Sequence, residues 1–287
     1  MAKIRLIKRR IRAAKNISQI TRAMEMVAAS KMKKSQDMAL AGKPYAQKIK
    51  EITDLFLTKI KVEEEKYPLL AKNSHKEKIL VVLISTNKGL CGGLNTVLFK
   101  AVNLWFPDNN NTDFVTFGIK GRNFVLRTKR NLIADFSEGN FLENIGALTD
   151  LIVDGYALQK KYSAVFLVYN NFVSVLRQEP AKDLLLPIGG IPEQENSDKK
   201  LALDFLVEPN LKDVLNSLLP RYLEVLIRKA VIEAEASEHS ARMMAMKAAT
   251  DNAKALMEEL TLQYNKERQQ IITYEIADII TAREAVL

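Results

Sequence analysis

"MKAATDNAKALMEELTLQ" spans Met246 to Gln263, and its spacing decides how the chain is built. Met246, Ala249, Ala253, Leu256, Leu260 and Gln263 follow one another at steps of 3, 4, 3, 4 and 3 residues. An α-helix turns once in about 3.6 residues, so this alternation lays a narrow apolar seam along one helix face. The alanines in the seam leave room for a partner backbone. No glycine occurs from Ile191 to the C-terminus, which suits a long helix. Pro209 fits its first turn. Pro220 predicts a kink, or a boundary near Asn216 to Leu219. A second apolar run, Ile271, Ile272, Ile276, Ile279 and Ile280, closes the chain.

A seam needs something to face, and the other end of the chain supplies it. Ile4, Ile7, Ile11, Ala14, Ile17, Ile20, Met24 and Val27 recur at three or four residues. They predict an amphipathic helix over about Ala2 to Ile60, with Gly42 and Pro44 as the points where it could bend. Such long periods without caps indicate coiled coils rather than globular helices. The two ends are therefore expected to wind around each other, antiparallel. Separate packing of each helix on the middle of the chain is the alternative, but the middle is too small to cover both.

Ten of the 11 glycines lie between Gly89 and Gly190, so the middle is rich in turns. Residues 61–78 form a charged linker. Lys78–Ser85, Asp113–Ile119 and Ser163–Tyr169 read as buried strands. Gly92–Phe106, Gly121–Arg130 and Leu142–Tyr162 read as helices, and the alternation predicts a parallel sheet. Asn170–Asn171, between two apolar runs, predicts a hairpin turn. Asp183–Pro209 reads as loop and edge strand. The expected fold is α/β: a long antiparallel two-helix coiled coil from residues 1–60 and 209–287, and a small Rossmann-like domain with its linker at 61–208.

Charge is unevenly placed. Residues 1–60 hold 15 Lys/Arg against 4 Asp/Glu, residues 61–208 hold 18 against 18, and residues 209–287 hold 10 against 12. A basic end of this kind wants a polyanion or an acidic protein surface. A nucleic-acid-binding coiled coil is one reading, although few aromatics interleave the cations. An Arg-rich, acid-poor start also looks like a transit peptide, but the apolar rhythm runs on past it unbroken. One cysteine, Cys91, allows no internal disulfide, and with two histidines it makes a zinc site improbable. No apolar run reaches the ~18 residues a membrane span needs.

"ISTNKGLCGGLN" (84–95) follows a strand-like run and invites a phosphate-loop reading. It fails the pattern. Gly92–Gly93 is followed by Leu94–Asn95 rather than Lys-Ser/Thr, and Lys88 lies before the glycines. No G-x-G-x-x-G occurs, nor an acidic residue at the end of a second strand. The glycines are expected to make a tight turn and to let the following helix approach the sheet. Cys91 has no neighbouring histidine, since His75 and His239 fall in the linker and a helix. Glu63–Glu65 read as a solvated run, and Glu233, Glu235 and Glu238 as a helix face. No catalytic, cofactor-binding or metal-binding residue is expected.

Four stretches together carry a resemblance: "ITRAMEMVAASKM" (20–32), "GLCGGLN" (89–95), "ASEHSARMMAMKAATDNA" (236–253) and "YNKERQQIITYEIADII" (264–280). In this order they resemble the γ subunit of F-type ATP synthases, over the whole chain. The resemblance implies a non-catalytic rotor shaft without cofactor, coupling ion flow through a membrane sector to ATP synthesis or hydrolysis at catalytic β subunits. It implies α, β, δ and ε subunits and a membrane c-ring as partners, no nucleic acid, and a peripheral place on the cytoplasmic side of a bacterial plasma membrane. By motif it implies that Arg268 and Gln269 contact a loop on β, and that Met24, Lys31, Lys33 and Lys34 meet an acidic β element. Asp204, Phe205 and Glu208 match a stretch near the c-ring and ε. The tail "TAREAV" (281–286) departs from the family's small-residue ending, with Arg283 and Glu284 adding charge. Pro220 also stands where a helix-compatible residue is common.

Overall fold

The computed structural model describes residues 2–60, 67–71, 73, 78–107, 111–139, 141–188 and 210–284. Helix α1 spans Ala2–Ile60 with Pro44 inside it, and α5 spans Leu211–Glu284 with Pro220 inside it. Neither proline nor Gly42 ends a helix, so the boundary expected near Asn216 to Leu219 is not there. Between them lie β1 (Ile79–Ile84), α2 (Leu94–Trp105), β2 (Thr112–Phe117), α3 (Ile119–Arg127), β3 (Asn131–Asp135), α4 (Ile145–Val153), β4 (Ala164–Phe172) and β5 (Gln178–Leu186). The chain forms two compact units, one from Met1–Ser30 with Arg242–Leu287, the other from Lys31–Ala241.

The first unit is a helix pair. Lys3 on α1 pairs with Glu267 on α5, and Thr21 pairs with Thr250. Numbers rise on one helix as they fall on the other, so the pair is antiparallel, as expected. The facing positions agree only in part with those read in the sequence. On α1 the buried or half-buried set runs Ile4, Ile7, Ile11, Ala14, Ser18, Thr21, Met24, Glu25, Ala28 and Ala29. On α5, from Met246 onward, it runs Met246, Ala249, Thr250, Ala253, Met257, Leu260, Tyr264, Glu267 and Ile271. Ile17, Ile20 and Val27 are more than half exposed, and Leu256 and Gln263 are exposed. Ile272, Ile276, Ile279 and Ile280 are exposed too. The reason is geometric. A seam that steps 3, 4, 3 through Ile4, Ile7, Ile11 and Ala14 must next step 4, to Ser18, although the more apolar residue sits at 17.

The second unit is a five-stranded sheet in the order β3-β2-β1-β4-β5. β1 pairs in parallel with β2 and β4, β2 with β3, and β5 joins β4 antiparallel. Strand side chains alternate between faces with period two. Val82, Ile84, Val115, Phe117, Leu167 and Leu186 face a core completed by Ile145, Leu148 and Ile152 of α4, Phe56 of α1, and Leu219, Leu223, Ile227 and Val231 of α5. Val81, Leu83, Phe114 and Val168 face Leu98 and Val102 of α2 and Val125 of α3. In this unit the long helices thus cover one sheet face, as well as pairing in the other.

Three local expectations change. Asn170 and Asn171 lie within β4, paired with Pro180 and Glu179, and the hairpin turns at 173–177. Ser174 N–H donates to the Arg177 carbonyl and Arg177 N–H to that of Ser174. Register decides here: the asparagines keep ladder partners because the paired strands run on past them. β3 is a strand the sequence pattern did not suggest, short and only partly buried, so it lacks an apolar run. The helix expected over Leu142–Tyr162 begins at Ile145, and its last turn, Asp154–Leu158, is π-helical. Gly155 sits there with Tyr162 Cε2 3.0 Å from where a Cβ would stand.

Candidate functional site

Two places compete as the site: the glycine turn at the end of β1 and the helix pair. The turn is built from Ser85, Thr86 and the run to Gly93, which precedes α2. Leu90 (φ 63°) and Gly92 (φ 59°) adopt the left-handed conformation. Asn95 Nδ2 donates to Thr86 Oγ1 at 2.8 Å and to Cys91 Sγ at 3.4 Å, tying the start of α2 to the end of β1. No atom lies within 4 Å of a Cβ built at Gly89, Gly92 or Gly93. The expectation that these glycines permit close packing is therefore wrong. Close approach occurs after β2, where a Cβ on Gly118 (φ 101°) would lie 2.3 Å from the Ser85 carbonyl oxygen.

In a doubly wound sheet the ligand crevice opens at the carboxyl ends of the strands where the winding order reverses. Here that point lies between β1 and β4, and it is filled. The cavity left among Ile84, Ser85, Thr86, Phe141, Asn170, Ala234, Glu235 and Glu238 has a volume of about 10 Å³, room for about one water molecule. Ser237 Oγ on α5 donates to the Asn170 carbonyl at 2.9 Å, fastening the helix over the crevice. Burial raises the pKa of Glu235, as does neighbouring Glu238, while Lys31 and Lys34 oppose the rise. A nucleotide would meet a helix and two acidic side chains. Among the described residues no group of three His, Cys, Asp or Glu could hold a metal ion.

The helix pair offers different chemistry. Its seam holds small and polar groups, and Thr21 Oγ1 lies 2.7 Å from Thr250 Oγ1. Each hydroxyl also reaches a carbonyl of its own helix, Thr21 that of Ile17 at 3.0 Å and Thr250 that of Met246 at 2.9 Å, so either can be the donor across the seam. Apolar side chains stand outside the seam: Ile17, Ile20, Val27, Leu256 and Leu262. Arg268 and Gln269 are exposed on α5, immediately after the seam residue Glu267 that pairs with Lys3. Met24 is half-buried on α1, three residues beyond the Thr21–Thr250 contact. The structure therefore does not gather the expected contact residues into one place. Arg268 and Met24 stand about 30 Å apart along the pair, by the rise of 1.5 Å per residue. Lys31, Lys33 and Lys34 belong to the second unit and are exposed. Asp204, Phe205, Glu208, His75 and Glu63–Glu65 lie outside the described residues. The seam positions Ser18, Thr21, Thr250 and Tyr264 escaped the sequence reading, although extending the strict 3–4 step from Ala14 finds the first two.

A family profile described as "ATP synthase" matches residues 3–286. The ATP synthase gamma chain of Dehalococcoides mccartyi (strain BAV1) is 40% identical over 293 residues, covering 100% of both chains. That of Thiobacillus denitrificans is 37% identical over 294 residues, again covering 100% of both. The chain belongs to the ATP synthase gamma chain family. The gamma chain is a non-catalytic subunit of the ATP synthase. A chain of the Euglena gracilis mitochondrial ATP synthase shares the fold, with a TM-score of 0.69 at 20% identity over 99% of this chain and 95% of that one. No gamma chain relative lends support to the nucleic-acid reading of the basic N-terminal helix.

Proposed function

We propose that the chain is the central rotor shaft of an F-type ATP synthase, coupling ion flow through the membrane sector to ATP synthesis or hydrolysis at the catalytic β subunits. The antiparallel seam from Lys3–Glu267 to Thr21–Thr250 carries this reading. Two helices locked along a seam resist bending and twisting better than one, and a shaft needs that. The outward apolar and basic side chains give it an uneven surface. As it turns, that surface favours a different conformation in each surrounding subunit, the only way a contact can shift an equilibrium.

The partners follow from the assembly: α, β, δ and ε subunits and the c-ring. Residues 1–60 and 209–287 serve as the shaft, and 61–208 as its foot. Arg268 and Gln269, with Met24, Lys31, Lys33 and Lys34, are the contacts to β, and Asp204, Phe205 and Glu208 those to the c-ring and ε. Among the described residues no helix is long and apolar enough to cross a membrane. Attachment is then peripheral, on the cytoplasmic side of a bacterial plasma membrane. The test is reconstitution. The chain alone should hydrolyse no ATP, and adding it to α and β subunits should raise their steady hydrolysis. Turnover by α and β that is indifferent to the chain would refute the proposal.

A further inference from the structure

Helix α5 lies on the sheet by an apolar stripe, Leu215, Leu219, Leu223, Ile227 and Val231. Beyond Val231 the contact changes character. Ser237 and Ser240 stand one turn apart on one helix face, and both are fully buried. Ser237 Oγ donates to the Asn170 carbonyl of β4 at 2.9 Å. Ser240 Oγ donates to the Val175 carbonyl at 2.7 Å, in the turn that joins β4 to β5. Gln178 Nε2, at the start of β5, donates to the same Val175 carbonyl and to that of Ser174, both at 3.0 Å, and reaches Ser240 Oγ at 3.5 Å. Two hydroxyls on one face of α5 thus hold two carbonyls of one hairpin.

Apolar burial is non-directional. The stripe holds α5 on the sheet, but a small rotation of the helix about its own axis costs it little. A hydrogen bond weakens steeply as donor and acceptor leave alignment, so two of them on neighbouring turns fix both rotation and position. Their place in the chain matters as well. Ser240 is next to Ala241, the last residue of α5 in the sheet unit. Whatever twist α5 carries from the sheet into the helix pair crosses this turn.

We infer that Ser237 and Ser240 are positioning residues of the rotor. They clamp α5 to the β4–β5 hairpin, so that a torque between sheet and helix turns the two together. The inference rests on the rotor reading and adds to it the joint that carries the load.

The test uses the assembled, membrane-bound complex, with its other subunits free of exposed cysteine. Spin labels at R228C on α5 and L176C on the hairpin, both exposed positions, report the distance between helix and hairpin, while Cys91 is buried. The distance is read at rest and during ATP hydrolysis against an ion gradient. With both serines present, one distance is expected in both states. In S240A, and more so in S237A/S240A, a second distance should appear under load, its share rising about fivefold per hydroxyl removed. S240A should fold normally, because Gln178 still donates to the Val175 carbonyl. I227V, which trims the stripe and removes no hydrogen bond, should show no load-dependent change. A single unchanged distance in S237A/S240A would overturn the inference. So would a second distance equally populated at rest, the mark of a purely structural bond, or the same response in I227V. Each of these results leaves the rotor reading standing, which fails separately, when the wild-type chain does not raise hydrolysis by α and β subunits.

Discussion

Asp113 is the most heavily supported charge in the sheet unit. Its side chain is fully buried at the start of β2, yet Asn131 Nδ2 donates to it at 2.7 Å, Tyr162 Oη at 3.0 Å, and Lys161 Nζ lies 3.1 Å away. Burial pushes its pKa up, but the Asn131, Lys161 and Tyr162 hydrogen bonds and the Lys161 charge outweigh that and hold it below the ordinary 3.8. A carboxylate depressed in the fold contributes its full stabilisation above the unfolded pKa and loses it as pH falls through the folded one. The wild-type chain should therefore lose stability as pH drops below about 4. Asp113→Asn should cost about 2–4 kcal/mol at neutral pH and flatten that acid limb. Urea titrations across pH would check both, and an unchanged acid limb would contradict the linkage. Glycines divide just as sharply. Gly118→Ala drives a Cβ into the Ser85 carbonyl at φ 101° and should cost about 2–4 kcal/mol, whereas Gly92→Ala meets open space and only its φ of 59°, about 1 kcal/mol. Equal losses in thermal unfolding would sink the distinction. No sequence pattern separates these two glycines, because what decides is a carbonyl brought in by β1.

At the scale of elements, the type of each long helix was legible and its facing side was not. From Ile4 to Ala14 the seam is legible because apolar residue and heptad step coincide there. From residue 17 onward they part, and the seam goes to Ser18 and Thr21 while Ile17 and Ile20 turn outward. A single sequence read for hydrophobicity follows the isoleucines. The structure follows the step, because the partner's backbone must stay close over the whole contact. The strands show the same division. β1, β2 and β4 announce themselves by buried Val, Ile and Phe, whereas β3 is held by pairing to β2 and carries no such run. Thr21 and Thr250 test the seam directly. Because the 2.7 Å hydroxyl contact is lost when either side is removed, Thr21→Val and Thr250→Val should not be additive. A double-mutant cycle in thermal unfolding should return a coupling of about 0.5–1.5 kcal/mol, and the doubly substituted chain should be close to wild type. A coupling indistinguishable from zero would mean that the hydroxyl contact contributes nothing to the register.

For the whole molecule, the functional question is whether exposed residues beside the seam transmit force. Arg268 and Gln269 are exposed and immediately follow Glu267, whose pairing with Lys3 fixes this stretch of α5 against the start of α1. A load applied at Arg268 is thus carried by two helices. Removing its guanidinium changes no core contact, so stability should shift by less than about 0.5 kcal/mol. If Arg268 makes a charge-assisted hydrogen bond to a β subunit in one rotational position, its loss removes about 1.5–3 kcal/mol from that position alone. Steady ATP hydrolysis by the reconstituted complex should then fall about tenfold or more for Arg268→Ala, with the chain still present at full stoichiometry. Arg268→Lys should recover only part of it, because an ammonium cannot reproduce a planar fork. Full turnover in Arg268→Ala would remove this residue from the proposed contact. Loss of the chain from the complex would instead make Arg268 an assembly contact and not a torque-bearing one.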